Sequence, residues 1–337
     1  MDNTSPPSGN LPPHAAAVAT QSPTRASVPL EALPVSPHAP LMILTGISDE
    51  AGNTLDAQIS ALKTLGWTHV EMRGVQVEGY AKANFHEIPE PAFDLALEKL
   101  QAAGIQVYCF GSTIMNWAKR IQDPPFEVTL DEVKRCIPRM QKAGARFVRI
   151  MSFKPGDDEG ETPTEVFRRV REVTRRFLDA GIQPVHENCM NYGGMSSRHA
   201  LQLLEEVPGL RWVFDTANPI FNTDRTGSKP WPRQDPWEFW TQVRDVTSHI
   251  HIKDARWNPS KNDADYHWPG DGDGRVKDIL RDAFARGYDA GISIEPHMVV
   301  VFHDAQSKSD DSAIQRNFIE YGQRLEMLIA DIRHSSH

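Results

Sequence analysis

The strongest constraint on this chain is a texture that repeats eight times, a short β-rich run followed by a longer stretch of helical period. The runs are Leu41–Thr45, His69–Met72, Ile105–Cys109, Phe147–Met151, Ile182–Glu187, Leu210–Asp215, Ser248–Lys253 and Gly291–Glu295. The helical stretches between them are Leu55–Leu65, Phe93–Ala102, Leu130–Ala143, Pro163–Ala180, Arg198–Glu206, Trp237–Val246 and Val276–Arg286, and Ala313–Ile332 closes the series. Gly66, Gly104, Gly144, Gly181, Gly209 and Gly287 stand between helix and strand. Glycine is favoured there because a helix commonly ends on a left-handed residue.

Strands that each lead into a helix, with no reversal of texture, form a parallel sheet. Eight such units in roughly 300 residues close most economically into one (β/α)8 TIM barrel. The competitor is an open doubly wound sheet, which carries a G-x-G-x-x-G turn after its first strand. Thr45–Gly46–Ile47–Ser48–Asp49 supplies no such turn. The barrel is expected over residues 40–337, and residues 1–39, rich in Pro, Ala and Ser with Pro6–Pro7 and Pro12–Pro13 pairs, read as a disordered tail. Such a segment buries too little apolar surface to offset its ordering entropy.

The formal charge of −9 gives no general attraction to nucleic-acid phosphates or anionic lipid. A small substrate is the expected partner, with neither nucleic acid nor membrane involved. Cys109, Cys136 and Cys189 are odd in number and show no C-x-x-C spacing. Neither a disulfide framework nor a thiolate zinc site is indicated, which suits a reducing cytoplasm. Met1–Asp2–Asn3–Thr4 lacks the basic and apolar regions of a secretory signal, so the expected location is cytoplasmic.

In such a barrel, chemistry sits where strands end and the following loops begin. The fifth run ends His186–Glu187–Asn188, the sixth Asp215–Thr216–Ala217–Asn218 and the eighth Glu295–Pro296–His297. The seventh reads His249–Ile250–His251–Ile252–Lys253–Asp254. Four neighbouring strands thus bring Glu187, Asp215, His251 and Glu295 to one rim. Three carboxylates and an imidazole crowded together need a cation among them. Oxygen-rich ligation with one nitrogen favours Mn²⁺, with Mg²⁺, Co²⁺ or Zn²⁺ as alternatives. The same residues taken singly read as helix caps or ion-pair partners. His251 is preferred to His249 as ligand because it lies nearer the strand's exit.

These segments, together with Gly46–Ile47–Ser48–Asp49–Glu50, Val70–Glu71–Met72–Arg73 and Ser293–Ile294–Glu295–Pro296, resemble the sugar isomerase/epimerase family of the xylose isomerase-like barrels. The likeness covers about residues 42–330. It implies that Glu187, Asp215, His251 and Glu295 ligate a metal, and that the two glutamates also serve as an acid/base pair. The implied reaction removes a proton from a carbon next to a carbonyl, giving an enediolate, with the metal acting as Lewis acid. Return of the proton gives an epimer or an aldose–ketose isomer, whereas loss of a leaving group from the β carbon makes the same site a lyase.

Further candidates surround this set. His186 and His297 flank the glutamates and are positioned by sequence to relay protons. Lys253 shares strand parity with His251 and could reach a substrate oxygen or form a barrel salt bridge. Arg149 ends the fourth run, where it could bind an oxyanion or pair with Glu187 or Glu71. Asn218, and His267 in Asp265–Tyr266–His267–Trp268–Pro269–Gly270–Asp271–Gly272, complete the substrate-binding candidates.

The related three-zinc endonucleases carry extra histidines that are missing here. Cys109–Phe110–Gly111–Ser112 and Met151–Ser152–Phe153 contain none, and Asn218 stands where those nucleases have another. The stretch Pro219–Trp240 carries Trp231, Trp237 and Trp240 and reads as a long loop, either an aromatic wall for a sugar or aglycone or simple packing. With Cys189–Met190–Asn191–Tyr192–Gly193–Gly194 it resembles barrel subunits that cleave C-glycosides after oxidation to a 3-keto sugar. No dinucleotide fingerprint is present, so any oxidation step falls to a separate oxidoreductase. A homo-oligomer is compatible with the sequence.

Overall fold

A computed structural model describes residues 42–123, 125–299 and 311–335. The tail expected over residues 1–39 lies outside them. The barrel strands are β1 (Ile43–Gly46), β2 (His69–Met72), β3 (Gln106–Gly111), β4 (Phe147–Ile150), β5 (Gln183–Glu187), β6 (Arg211–Asp215), β7 (Thr247–Ile252) and β8 (Gly291–Ile294). Each pairs in parallel with its neighbour in chain order from β2 to β8. β8 pairs with β1, and a parallel bridge between Ile47 and Glu71 brings β1 against β2. The fold is a (β/α)8 TIM barrel.

The helices are α1 (Leu55–Leu65), α2 (Glu90–Ala102), α3 (Phe126–Ala143), α4 (Thr164–Asp179), α5 (Ser197–Glu206), α6 (Pro236–Val243), α7 (Val276–Ala285) and α8 (Asp311–His334). Local chemistry sets their ends. Thr54 caps α1 by accepting from the Ala57 amide, and Ser196 caps α5 by accepting from the His199 amide. Gly66 and Gly144 close α1 and α3 at φ +70° and +67°, a region costly for residues with a Cβ. α2 and α3 begin at Glu90 and Phe126, earlier than periodicity suggests, because Pro89 and Pro125 precede them in extended conformation.

A hairpin pairing Asp254–Asn258 with Asp263–His267 interrupts the β7–α7 connection. It was not expected from sequence, since Asp263–His267 lacks the β-branched alternation that marks a strand. The Pro219–Trp240 stretch is not one long loop either. It folds as a helical turn at Asn218–Phe221, a bridge between Thr223 and Arg233, and then α6.

The main apolar core lies between the strands and the helix ring. A smaller cluster of Tyr108, Cys109, Phe147, Val185 and Val213 is separate from it. Because side chains alternate along a strand, the residues two places on from three of these, Arg149, Glu187 and Asp215, also point inward, one layer nearer the carboxyl ends. The interior therefore changes from apolar to charged along its axis. Among the described residues no helix is long and apolar enough to cross a membrane, and the three cysteines are buried and unpaired.

Candidate metal centre and active site

Glu187, Asp215, His251 and Glu295 are all buried at the strand ends. Each presents a ligand atom within 4.8 Å of those of the others. Asp215 Oδ1 accepts from the Ala217 and Asn218 amides at 2.9 and 2.7 Å, which fixes the carboxylate and leaves Oδ2 facing the cluster. Asn188 ties β5 to β6, donating to the Asp215 carbonyl at 2.9 Å and accepting from its amide at 2.8 Å. Glu187 Oε2 accepts from Arg149 at 2.8 Å and Oε1 from Asn218 at 2.9 Å. Glu295 Oε1 accepts from Arg73 and Oε2 from Lys253 at 3.0 Å.

The electrostatics are lopsided. Asp49, Glu50, Glu71, Glu187, Asp215 and Glu295 are buried together, whereas the fixed cations among them are Arg73, Arg149 and Lys253. Burial alone would raise the Glu187 carboxyl, but Arg149 and His251 outweigh it and hold the group down at about 2. Glu295 likewise lies well below the carboxylate range, Lys253 being foremost in overcoming burial. Asp215 goes the other way. Burial, with Glu295 and Glu187 beside it, pushes its carboxyl up to about 6 despite Lys253. Asp215 Oδ2 and His251 Nδ1 are buried without a hydrogen-bond partner. An oxygen-rich set with surplus negative charge, in which these two atoms have ion-pair neighbours but no hydrogen bond, is what a divalent cation would satisfy. The residues fit a metal ion.

Over the cluster lies a cavity of about 320 Å³. The expected residues Glu187, Glu295, Lys253, Asn218, Arg149 and His297 all line it. His297 Nδ1 lies 2.7 Å from Glu50 Oε1, and Nε2 lies 3.8 Å from Glu295 Oε1. Arg149 and Lys253 are engaged in ion pairs with the cluster while still facing the cavity.

Two candidates are not brought to the site. His186 alternates with Glu187 along β5 and so faces the helix ring. Its ring stacks on Trp212 at 4.9 Å and its Nε2 lies 3.0 Å from Ser152 Oγ. His267 does not line the cavity, but its hairpin neighbour Tyr266 does, for the same reason of alternation. The tryptophans also serve elsewhere. Trp240 is buried with Nε1 donating to Asp282, and Trp231 lies under Arg225. The cavity's apolar wall comes instead from Trp117, Met151, Met190, Phe221 and Tyr266.

Arg73 belongs to the site although its sequence position suggested no role for it. It pairs with Asp49, Glu50 and Glu295. The available signal was parity, since Arg73 follows Glu71 by two residues.

No curated protein matches the chain by sequence. Solved structures do match by fold. A D-tagatose 3-epimerase-like protein superposes with a TM-score of 0.65 at 15% identity, over 88% of this chain and 100% of that one. The probable 3-DHS dehydratase AsbF of Bacillus anthracis gives 0.59 at 15%, over 82% and 97%. A xylose isomerase-like TIM barrel protein from Mycobacterium smegmatis, in complex with magnesium, gives 0.58 at 15%, over 86% and 98%. A family model matches residues 59–316, and the chain accordingly belongs to the xylose isomerase-like TIM barrel family.

Proposed function

We propose that this barrel is a divalent-metal-dependent sugar isomerase or epimerase acting next to a carbonyl. The observation that carries the reading is the four-residue cluster, whose Asp215 Oδ2 and His251 Nδ1 are buried without a hydrogen-bond partner. Mn²⁺ suits its donor set, and Mg²⁺, Co²⁺ or Zn²⁺ are alternatives. Such an ion supplies Lewis-acid polarisation of a substrate carbonyl and hydroxyl, worth several kcal/mol.

The proton chemistry belongs to the chain. Glu187 and Glu295 both line the cavity and both stand ionised. One takes the proton from carbon, and a positioned carboxylate of this kind adds roughly 10²–10⁴-fold. Its return to the opposite face inverts the carbon, and its return to the adjacent carbon moves the carbonyl. Lys253, Arg149 and Asn218 keep the two carboxylates in place and offer donors to substrate oxygens.

A second reading is a lyase on a keto-sugar or keto-glycoside, in which the same abstraction expels a group from the β carbon. The apolar wall of Trp117, Met151, Met190, Phe221 and Tyr266 favours it, because it offers an apolar aglycone a surface beside the sugar. The resemblance in fold to both an epimerase-like protein and a dehydratase is consistent with either outcome. On the lyase reading a separate oxidoreductase supplies the keto group.

The test is incubation of Mn²⁺-loaded protein with keto-sugars and keto-glycosides in D₂O. Deuterium at carbon with an epimer or isomer supports the first reading, and release of an aglycone or water supports the second. Neither exchange nor release with any candidate, despite binding, contradicts both.

A further inference from the structure

One layer below the rim, Glu71 is fully buried and does not line the cavity. A carboxylate removed from both water and substrate is costly unless donors converge on it. Here they do. Glu71 Oε2 lies 2.8 Å from His249 Nε2 and 3.0 Å from His251 Nε2, and it accepts from Ser293 Oγ at 2.8 Å. His249 is pinned in turn, its Nδ1 lying 3.0 Å from the Gly291 carbonyl, its Nε2 also 3.0 Å from Ser293 Oγ, and its ring crossing His251 at 89°.

The consequence falls on His251. An imidazole nitrogen engaged by a neighbouring carboxylate is not free to ligate, and such outer contacts set which nitrogen meets the metal. Nε2 faces Glu71, which leaves Nδ1 as the coordinating atom. Nδ1 is the atom without a hydrogen-bond partner, and it lies 3.7 Å from Glu187 Oε1 on the side of the cluster.

We propose that Glu71 is a positioning residue for the metal centre, holding His251 by Nε2–H so that Nδ1 is presented to a divalent cation beside Glu187, Asp215 and Glu295. This rests on the metal-centre reading above and goes beyond it by naming the residue that orients the nitrogen ligand. Ser293 and His249 act through Glu71, anchoring the carboxylate rather than touching the ion.

The test uses Mn²⁺ alone, titrated calorimetrically into metal-stripped wild type, Glu71→Gln and Ser293→Ala. Partners of this kind typically change metal affinity by about 10–100-fold. Glu71→Gln is expected to weaken Mn²⁺ binding in that range, and Ser293→Ala less, because it keeps the carboxylate. A second measurement needs no variant. In ¹⁵N-histidine-labelled wild type loaded with Zn²⁺, NMR is expected to show His251 ligating through Nδ1 with hydrogen on Nε2. Ligation through Nε2, or Glu71→Gln binding Mn²⁺ as tightly as wild type, overturns the proposal while leaving the metal centre standing. A wild type that takes up no metal overturns both.

Discussion

Lys253 Nζ lies 3.0 Å from Glu295 Oε2 and 3.2 Å from Asp215 Oδ2, so one buried ammonium spans two of the four cluster carboxylates. Removing one partner of a buried ion pair typically costs about 3–5 kcal/mol, because the charge left behind is uncompensated. Metal-free Lys253→Met is therefore expected to unfold at lower temperature than wild type. Mn²⁺ should restore more stability to the variant than it adds to wild type, since the ion replaces the missing positive charge. Equal losses with and without Mn²⁺ in thermal melts would contradict this.

Glu295→Gln keeps the shape of the side chain and removes its basicity. Exchange of substrate hydrogen with D₂O is expected to slow by roughly 10²–10⁴-fold, with an unchanged circular dichroism spectrum. Full activity would remove Glu295 from the acid/base pair.

His186 gives the opposite expectation. Its ring is stacked on Trp212 outside the barrel lumen, so His186→Phe should keep the exchange rate near that of wild type. The variant should lose about 1 kcal/mol of stability with the bond to Ser152. A catalytic loss without a matching loss of stability would return His186 to the site.

Acid sensitivity has a source away from the cluster. Burial raises the Glu132 carboxyl, but His86 and Lys119 outweigh it and bring the group below its ordinary 4.5. Lys119 Nζ lies 3.0 and 2.9 Å from its two oxygens. A depressed folded value means the contribution is fully present above about pH 4.5. It is lost as pH falls through the lower folded value. Glu132→Gln should therefore lose about 1–3 kcal/mol at pH 7 and show a shallower decline in melting temperature below pH 4.5. Parallel pH profiles for variant and wild type would refute the assignment.

The barrel was legible because each of its units carries its own signal, a short apolar run and a helical stretch, with glycine closing six of those stretches. Glu187, Asp215, His251 and Glu295 were legible for a related reason, since strand ends in a closed parallel barrel converge on one rim. What sequence reading missed turns mostly on which face a residue takes. His186 adjoins Glu187 and His267 adjoins Tyr266, and in each pair strand alternation sends the two side chains to opposite sides. For His186 that rule was available from the sequence. For Tyr266 it was not, because the hairpin at Asp263–His267 shows no strand pattern. The apolar wall comes from Trp117, Met151, Met190, Phe221 and Tyr266 on separate loops, and no local pattern announces such a meeting.

The most direct measurement is the metal content and Mn²⁺ titration of stripped protein beside Asp215→Ala, which removes the carboxylate oxygen facing the cluster. One ion per wild-type chain is expected, with binding weakened by at least about tenfold in the variant. Absence of uptake by wild type, or undiminished uptake by Asp215→Ala, would contradict a metal held by Glu187, Asp215, His251 and Glu295.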